Sequence, residues 1–238
     1  MLLRYLKCEH QKFLYDRWAI IIAAGIMIFV PVIVLTLEPY MGSASGNTAV
    51  SKLIQGFYLG QAGHTVLAAL YFGQEYKRST LRTSLLSTPK RWLFLLSKLL
   101  CIMTWIVIIL VVSAILSFAA ISIALPENLS AGEALRYLLP AFLSTVELAA
   151  ITCAVVILTR SMIVSMAVMV SLILGLGSIL LQYCGQMKYI PVISAMNVFF
   201  EVKLPIYPNV STGLSIQAIW AIVLLSAAFF AFSKRYVR

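Results

Sequence analysis

Six stretches of this chain run for about twenty residues each with almost no charge, the length a helix needs to cross the roughly 30 Å hydrocarbon core of a bilayer. They cover residues 18–37, 53–72, 99–125, 137–158, 162–184 and 214–232. Inside a bilayer every backbone N–H and C=O must be paired within the protein, so such stretches fold as helices. Composition agrees. Of 238 residues, 62% are hydrophobic and 11% charged, against roughly 45–50% and about 25% in soluble domains. Too few charged side chains remain to coat a soluble fold of this length. A soluble enzyme, a disordered tail and a disulfide-stapled secreted domain are all disfavoured. The expected fold is an all-α polytopic membrane protein with six transmembrane helices in one domain, residues 1–238.

The formal net charge of +10 would suggest nucleic acid in a soluble chain, but in a polytopic one it first reports topology. Arg4, Lys7, Lys12 and Arg17 precede the first span, and Lys77, Arg78, Arg82, Lys90, Arg91 and Lys98 lie between the second and third. Arg160 follows the fourth, and Lys234, Arg235 and Arg238 follow the sixth. Only Lys52, Arg136, Lys188 and Lys203 fall on the other side, balanced there by Glu38, Glu127, Glu133 and Glu201. Cytoplasmic loops collect Lys and Arg, so both termini are expected in the cytoplasm and no nucleic-acid partner is implied. The first span follows seventeen polar and amphipathic residues and lacks a small-residue cleavage site, so it reads as permanent. Cys8, Cys101, Cys153 and Cys184 show no ligand spacing, which leaves no expected metal site or disulfide framework.

Two connections have structure of their own. In residues 1–17, Leu2, Leu3, Leu6, His10, Phe13 and Leu14 recur at helical spacing with the bases mostly elsewhere, the pattern of an interfacial helix; a plain basic flank is the alternative. The outer loop, residues 185–213, is rich in apolar residues and carries Pro191, Pro205 and Pro208. It reads either as a short re-entrant helix covered by protein or as a simple surface loop.

The segment of residues 74–91 carries the most information. Leu81, Leu85 and Leu86 form one apolar edge, Lys77, Arg78 and Arg82 project elsewhere, and Pro89 ends the helix. Such a helix, held outside the bilayer, can dock in a groove of a soluble partner, or it can be an incidental helix within a positive-inside loop. Its residues resemble the signature of type-2 ABC transporter permeases. There an acid precedes a Thr-Leu-Arg turn, a Leu-Leu-Ser-x-Pro stretch, a basic pair and a Phe-Leu-Leu-x-Lys-Leu-Leu run. Here these are Glu75, Thr80-Leu81-Arg82, Leu85-Leu86-Ser87-Thr88-Pro89, Lys90-Arg91 and Phe94 to Leu100, with Ser79 where the family usually has Gly. The lead-in Leu6-Lys7-Cys8-Glu9 resembles the family's as well.

The resemblance implies a permease that pairs with a second permease subunit, identical or not. It also implies a cytoplasmic ABC ATPase subunit that binds ATP and Mg. Glu75, Thr80, Leu81, Arg82, Leu85, Leu86 and Pro89 would then form the ATPase-coupling region. The chain has no phosphate-binding loop of its own, and no cofactor on this chain is expected. By size and lead-in it is similar to bacitracin- and lantibiotic-type export and immunity permeases of the bacterial plasma membrane.

Ionisable residues at membrane depth are costly and therefore candidates for function. His64 and Glu147 sit near the middle of the second and fourth spans, where they either line a substrate path, singly or as a pair, or make private hydrogen bonds. Gly56, Gly60 and Gly63 give the second span a small-residue face for close helix packing, within one subunit or between two. Gly175-x-Gly177 follows no strand and is no dinucleotide fingerprint. A membrane-embedded enzyme would need more convergent acids, histidines or nucleophiles than Glu147 and His64 supply. An ion-coupled secondary transporter would show internal repeats, and none is evident.

Overall fold

The computed structural model of the chain describes residues 2–37, 48–76, 91–124 and 130–234. Within them the chain is helical and has no strand. A short helix α1 (Leu2–Tyr15) precedes α2 (Arg17–Thr36), and α3 (Thr48–Gly73) ends in a 3-10 turn (Gln74–Tyr76). Then come α4 (Arg91–Ala124), α5 (Ala131–Thr159), α6 (Met162–Ser171), α7 (Gly177–Tyr183), the small helix α8 (Pro191–Ser194) and α9 (Val210–Lys234). The proposed coupling residues Thr80, Leu81, Arg82, Leu85, Leu86 and Pro89 lie outside the described residues.

Five segments are long and apolar enough to cross a membrane: α2, α4, α5, the α6–α7 unit Met162–Tyr183, and α9. Helix α3 has the length, 26 residues, but Gln55, Gln61, His64 and Thr65 make it more polar. Its position explains this. It packs against α2, α5 and α6, so most of its sides meet protein. The central helix is α5, which is buried along most of its length and packs on both α9 and α3.

Local chemistry sets the ends. Asp16 caps α2 by accepting from the Trp18 backbone N–H at 3.1 Å. Ser130 and Glu133 form a reciprocal capping box at the start of α5. Arg160 in the left-handed conformation, φ 54°, stops α5, and Ser161 caps α6 at once. Helix α4 starts eight residues before the apolar run that begins at residue 99, so Lys98 lies inside it rather than in a flank. At 34 residues it is about 51 Å long, well beyond the hydrocarbon thickness.

The expected span of residues 162–184 is not continuous. A π turn (Leu172–Leu176) separates α6 from α7, with Gly175 at φ 139°, where only glycine is at ease. The Tyr58 hydroxyl donates to the Ile173 carbonyl exposed by this break. The chain then turns back. Val192, Ile193, Ser194, Ala195, Asn197, Val198 and Phe199 are buried, and the Asn197 side chain ties down Leu204, Tyr207 and Pro208.

Gly56, Gly60 and Gly63 face a ridge of α2 formed by Val34, Val30 and Ile26. A Cβ at Gly60 would lie 2.7 Å from Val30 Cγ2, so the two helices approach too closely for a side chain. Replacement of Gly60 by Leu should destabilise the protein by about 1–3 kcal/mol through overpacking. A Gly60→Ala/Val30→Ala pair, in which the smaller side chain meets a trimmed neighbour, should lose much less, read as the thermal unfolding midpoint in detergent.

Candidate functional site

At one end of the bundle Gln74 meets Asp16, Lys98 meets Glu75 and Arg91 meets Ser233, so Gln74 stands beside the start of α2 and Arg91 beside the end of α9. The centre of this basic end is Lys98, whose side chain is 3% exposed. Its Nζ donates to Glu75 Oε1 at 2.9 Å and lies 3.5 Å from Glu9 Oε2. It also stands 4.2 Å from the centre of the Tyr71 ring, a cation–π contact. Tyr71 donates its hydroxyl to Glu9 Oε2 at 2.8 Å, and Lys12 reaches Glu9 Oε1 at 2.6 Å. Two carboxylates and two ammoniums thus neutralise each other across α1, the 3-10 turn after α3, and α4.

Aromatic packing fixes α1 in this position. Phe13 stacks on Trp105 with centroids 4.6 Å apart and tilts against Tyr71 at 5.7 Å. Glu9 and Phe13 are the buried residues of α1, while Leu3 and Leu14 are exposed. Of the apolar residues at helical spacing, Phe13 and Leu6 pack against the bundle beside Glu9, while Leu3 and Leu14 do not. Glu9 faces inward because Lys98 offers it a stronger partner than lipid or apolar surface could. Next to the cluster, Gln74 donates to Asp16 Oδ2 at 2.6 Å, and Arg91 donates to the Ser233 carbonyl at 3.2 Å.

Of the residues singled out from the sequence, Glu75 is part of this cluster. His64 and Glu147 are elsewhere, and among the described residues no hydrogen bond or ion pair joins them. The His64 Nδ1–H donates to the Gly60 carbonyl at 2.9 Å, one turn back, and its Nε2 is buried without a partner. Glu147 Oε2 is likewise buried and unpaired. A second polar group joins three helices in the bundle interior. Gln61 of α3 donates to Ser144 and Thr145 of α5 at 3.2 and 3.3 Å, Ser144 donates to Gln217 of α9 at 3.1 Å, and Gln217 donates back to the Ser144 carbonyl at 2.9 Å.

Glu9 and Lys98 stood in the quoted motifs without a site role, and Gln61 and Gln217 were not singled out. For Glu9 and Lys98 the available signal was the scarcity of acids at a strongly basic end: Glu9, Asp16 and Glu75 all make contacts between elements. Lys98, set among Leu95, Leu96, Leu99 and Leu100, was a second clue.

Electrostatics should make the cluster a strong determinant of stability. Burial alone would raise the Glu9 carboxyl, but Lys98 and Lys12 outweigh it and hold the group below its ordinary value of 4.5. Replacing Lys98 by Met takes the shared ammonium from two buried carboxylates and should cost about 3–5 kcal/mol, whereas adding Glu9→Gln and Glu75→Gln should recover much of it. Because the folded value of Glu9 is depressed, its contribution is complete above the unfolded value and lost as pH falls through the folded one. The stability gap between wild type and Glu9→Gln, followed by denaturant unfolding, should hold at neutral pH and close below 4.5.

No curated protein matches this sequence. The family described as ABC-2 family transporter protein matches residues 5–178, from α1 through the helix break at Gly175. That stretch includes Glu9, Glu75 and Lys98 and most of the chain, so the protein belongs to the ABC-2 transporter family, whose members are membrane components of transporters.

Proposed function

We propose that this chain is the transmembrane permease subunit of an ATP-driven exporter, with six spans, α3 among them, and both termini in the cytoplasm. A separate ABC ATPase subunit would supply ATP hydrolysis by docking on residues 74–91, and a second permease subunit would complete the pathway. The observation that carries this reading is the Glu9–Lys98–Glu75 cluster. It braces the roots of that segment against α1, so a push on the segment would move α1, α3 and α4 together instead of bending one loop. The family match supports the transport role.

The cargo we propose is a hydrophobic or cationic peptide of the bacitracin or lantibiotic kind, exported or cleared at a bacterial plasma membrane. Support comes from the resemblance to small permeases of such systems. His64 and Glu147 are proposed as polar points on the path, since each keeps a buried polar atom unpaired.

Copurification tests the core of the proposal. The tagged chain, expressed with its candidate ATPase, should retain that subunit. Leu81→Asp/Leu85→Asp should release it and abolish peptide resistance at normal membrane levels. Transport by the purified chain without any ATPase would overturn the proposal and favour an ion-coupled carrier using Glu147 and His64. Normal transport in both Glu147→Gln and His64→Ala would remove the polar path alone.

A further inference from the structure

The cluster around Lys98 has a second effect on the surface of α1. Glu9, the acid of this helix, is 3% exposed, and Asp16 is turned to Gln74 and the Trp18 backbone. Arg4, Lys7 and Arg17 remain exposed, so the outward charge of residues 2–17 is uncompensated and positive. On a helical wheel Arg4, Lys7 and Gln11 stand opposite Glu9. Beside them lie exposed apolar side chains: Leu3 at 73%, Leu14 at 52% and, at the corner with α2, Trp18 at 66%. This fringe continues into the exposed face of α2 through Ile20 and Ile21, on a helix apolar enough to lie against acyl chains.

We propose that the outward face of α1 and its junction with α2 bind anionic phospholipid headgroups. Arg4, Lys7 and Arg17 would hold the phosphate charge, and Leu3, Leu14 and Trp18 would enter the acyl-chain boundary. Cations beside a continuous apolar fringe suit a lipid interface, where one face meets charge and its edge meets hydrocarbon. An acidic protein surface would match the bases but leave the fringe in water. The lipid bound here would sit one helix diameter from Glu9, and so next to the Lys98 cluster.

The test is made on the purified full chain and needs no ATPase, so its failure leaves the transport reading untouched. The thermal unfolding midpoint is followed while phosphatidylglycerol or phosphatidylcholine with identical acyl chains is added to detergent micelles. Binding to the folded state alone raises the midpoint. Phosphatidylglycerol should act at lower mole fraction, by about fivefold for each base engaged. The Arg4→Gln/Lys7→Gln/Arg17→Gln variant should lose this preference, while Arg4→Lys/Lys7→Arg/Arg17→Lys and the distant Lys188→Gln should keep it. Should the neutralised variant fail to fold, about 0.5 M NaCl on wild type serves instead, since screening must weaken the preference. Equal stabilisation by the two lipids would overturn the proposal, as would a preference untouched by neutralisation or salt. Loss of ATPase binding in the neutralised variant, without any lipid preference in wild type, would assign the face to a protein partner instead.

Discussion

An ammonium group removed from water must find negative charge close by, because the cost of burying it alone is several kcal/mol. Lys98 meets that demand with Glu75 from the end of α3 and Glu9 from α1, and the arrangement of the basic end follows. Glu9 must face inward, so α1 lies against α4 with Phe13 between Trp105 and Tyr71. Glu75 must stay near Lys98, so the turn that ends α3 is held against α4. The docking segment proposed here, residues 74–91, therefore has Glu75 within the charge cluster.

The interior obeys the same rule with neutral groups. Gln61, Ser144 and Gln217 place amide and hydroxyl groups where lipid could not satisfy them, and they satisfy each other across α3, α5 and α9. This allows α3 to be polar for a helix of its length: its glycine face is closed by α2 and its glutamine is taken up by α5. The α6–α7 unit differs. Gly175 interrupts its backbone ladder, and a hydroxyl from Tyr58 takes over one released carbonyl. Irregular backbone at such a place is tolerated because protein, not lipid, supplies the missing partner.

Helix positions were legible because the bilayer imposes a length and an apolarity that residue order alone displays. Residues 53–72 were read as a span, yet the α3 they form is long enough but more polar than the five apolar segments, with protein packed on most of its sides. Helix α4 starts before the span read from residue 99 because apolar runs mark where lipid begins, not where hydrogen bonding does. The candidate site was half legible. Glu75 came from a motif, whereas Glu9 meets Lys98 across 89 positions and Tyr71 across 62, separations no local period encodes. His64 and Glu147 stood out by type, and whether they touch was a question of rotation about two helix axes, which residue spacing does not fix.

Glu9 has two cationic partners that become available at different times. Lys12 lies one turn away, at 2.6 Å, and is present as soon as α1 exists, whereas Lys98 arrives only after two long helices have been synthesised. Before Lys98 exists, Glu9 can therefore already be neutralised within its own helix. When α4 emerges, the free carboxylate oxygen turns to Lys98 while Lys12 keeps the other. The contact that seats Glu9 of α1 against α4 thus depends on a residue that follows two long helices in the chain.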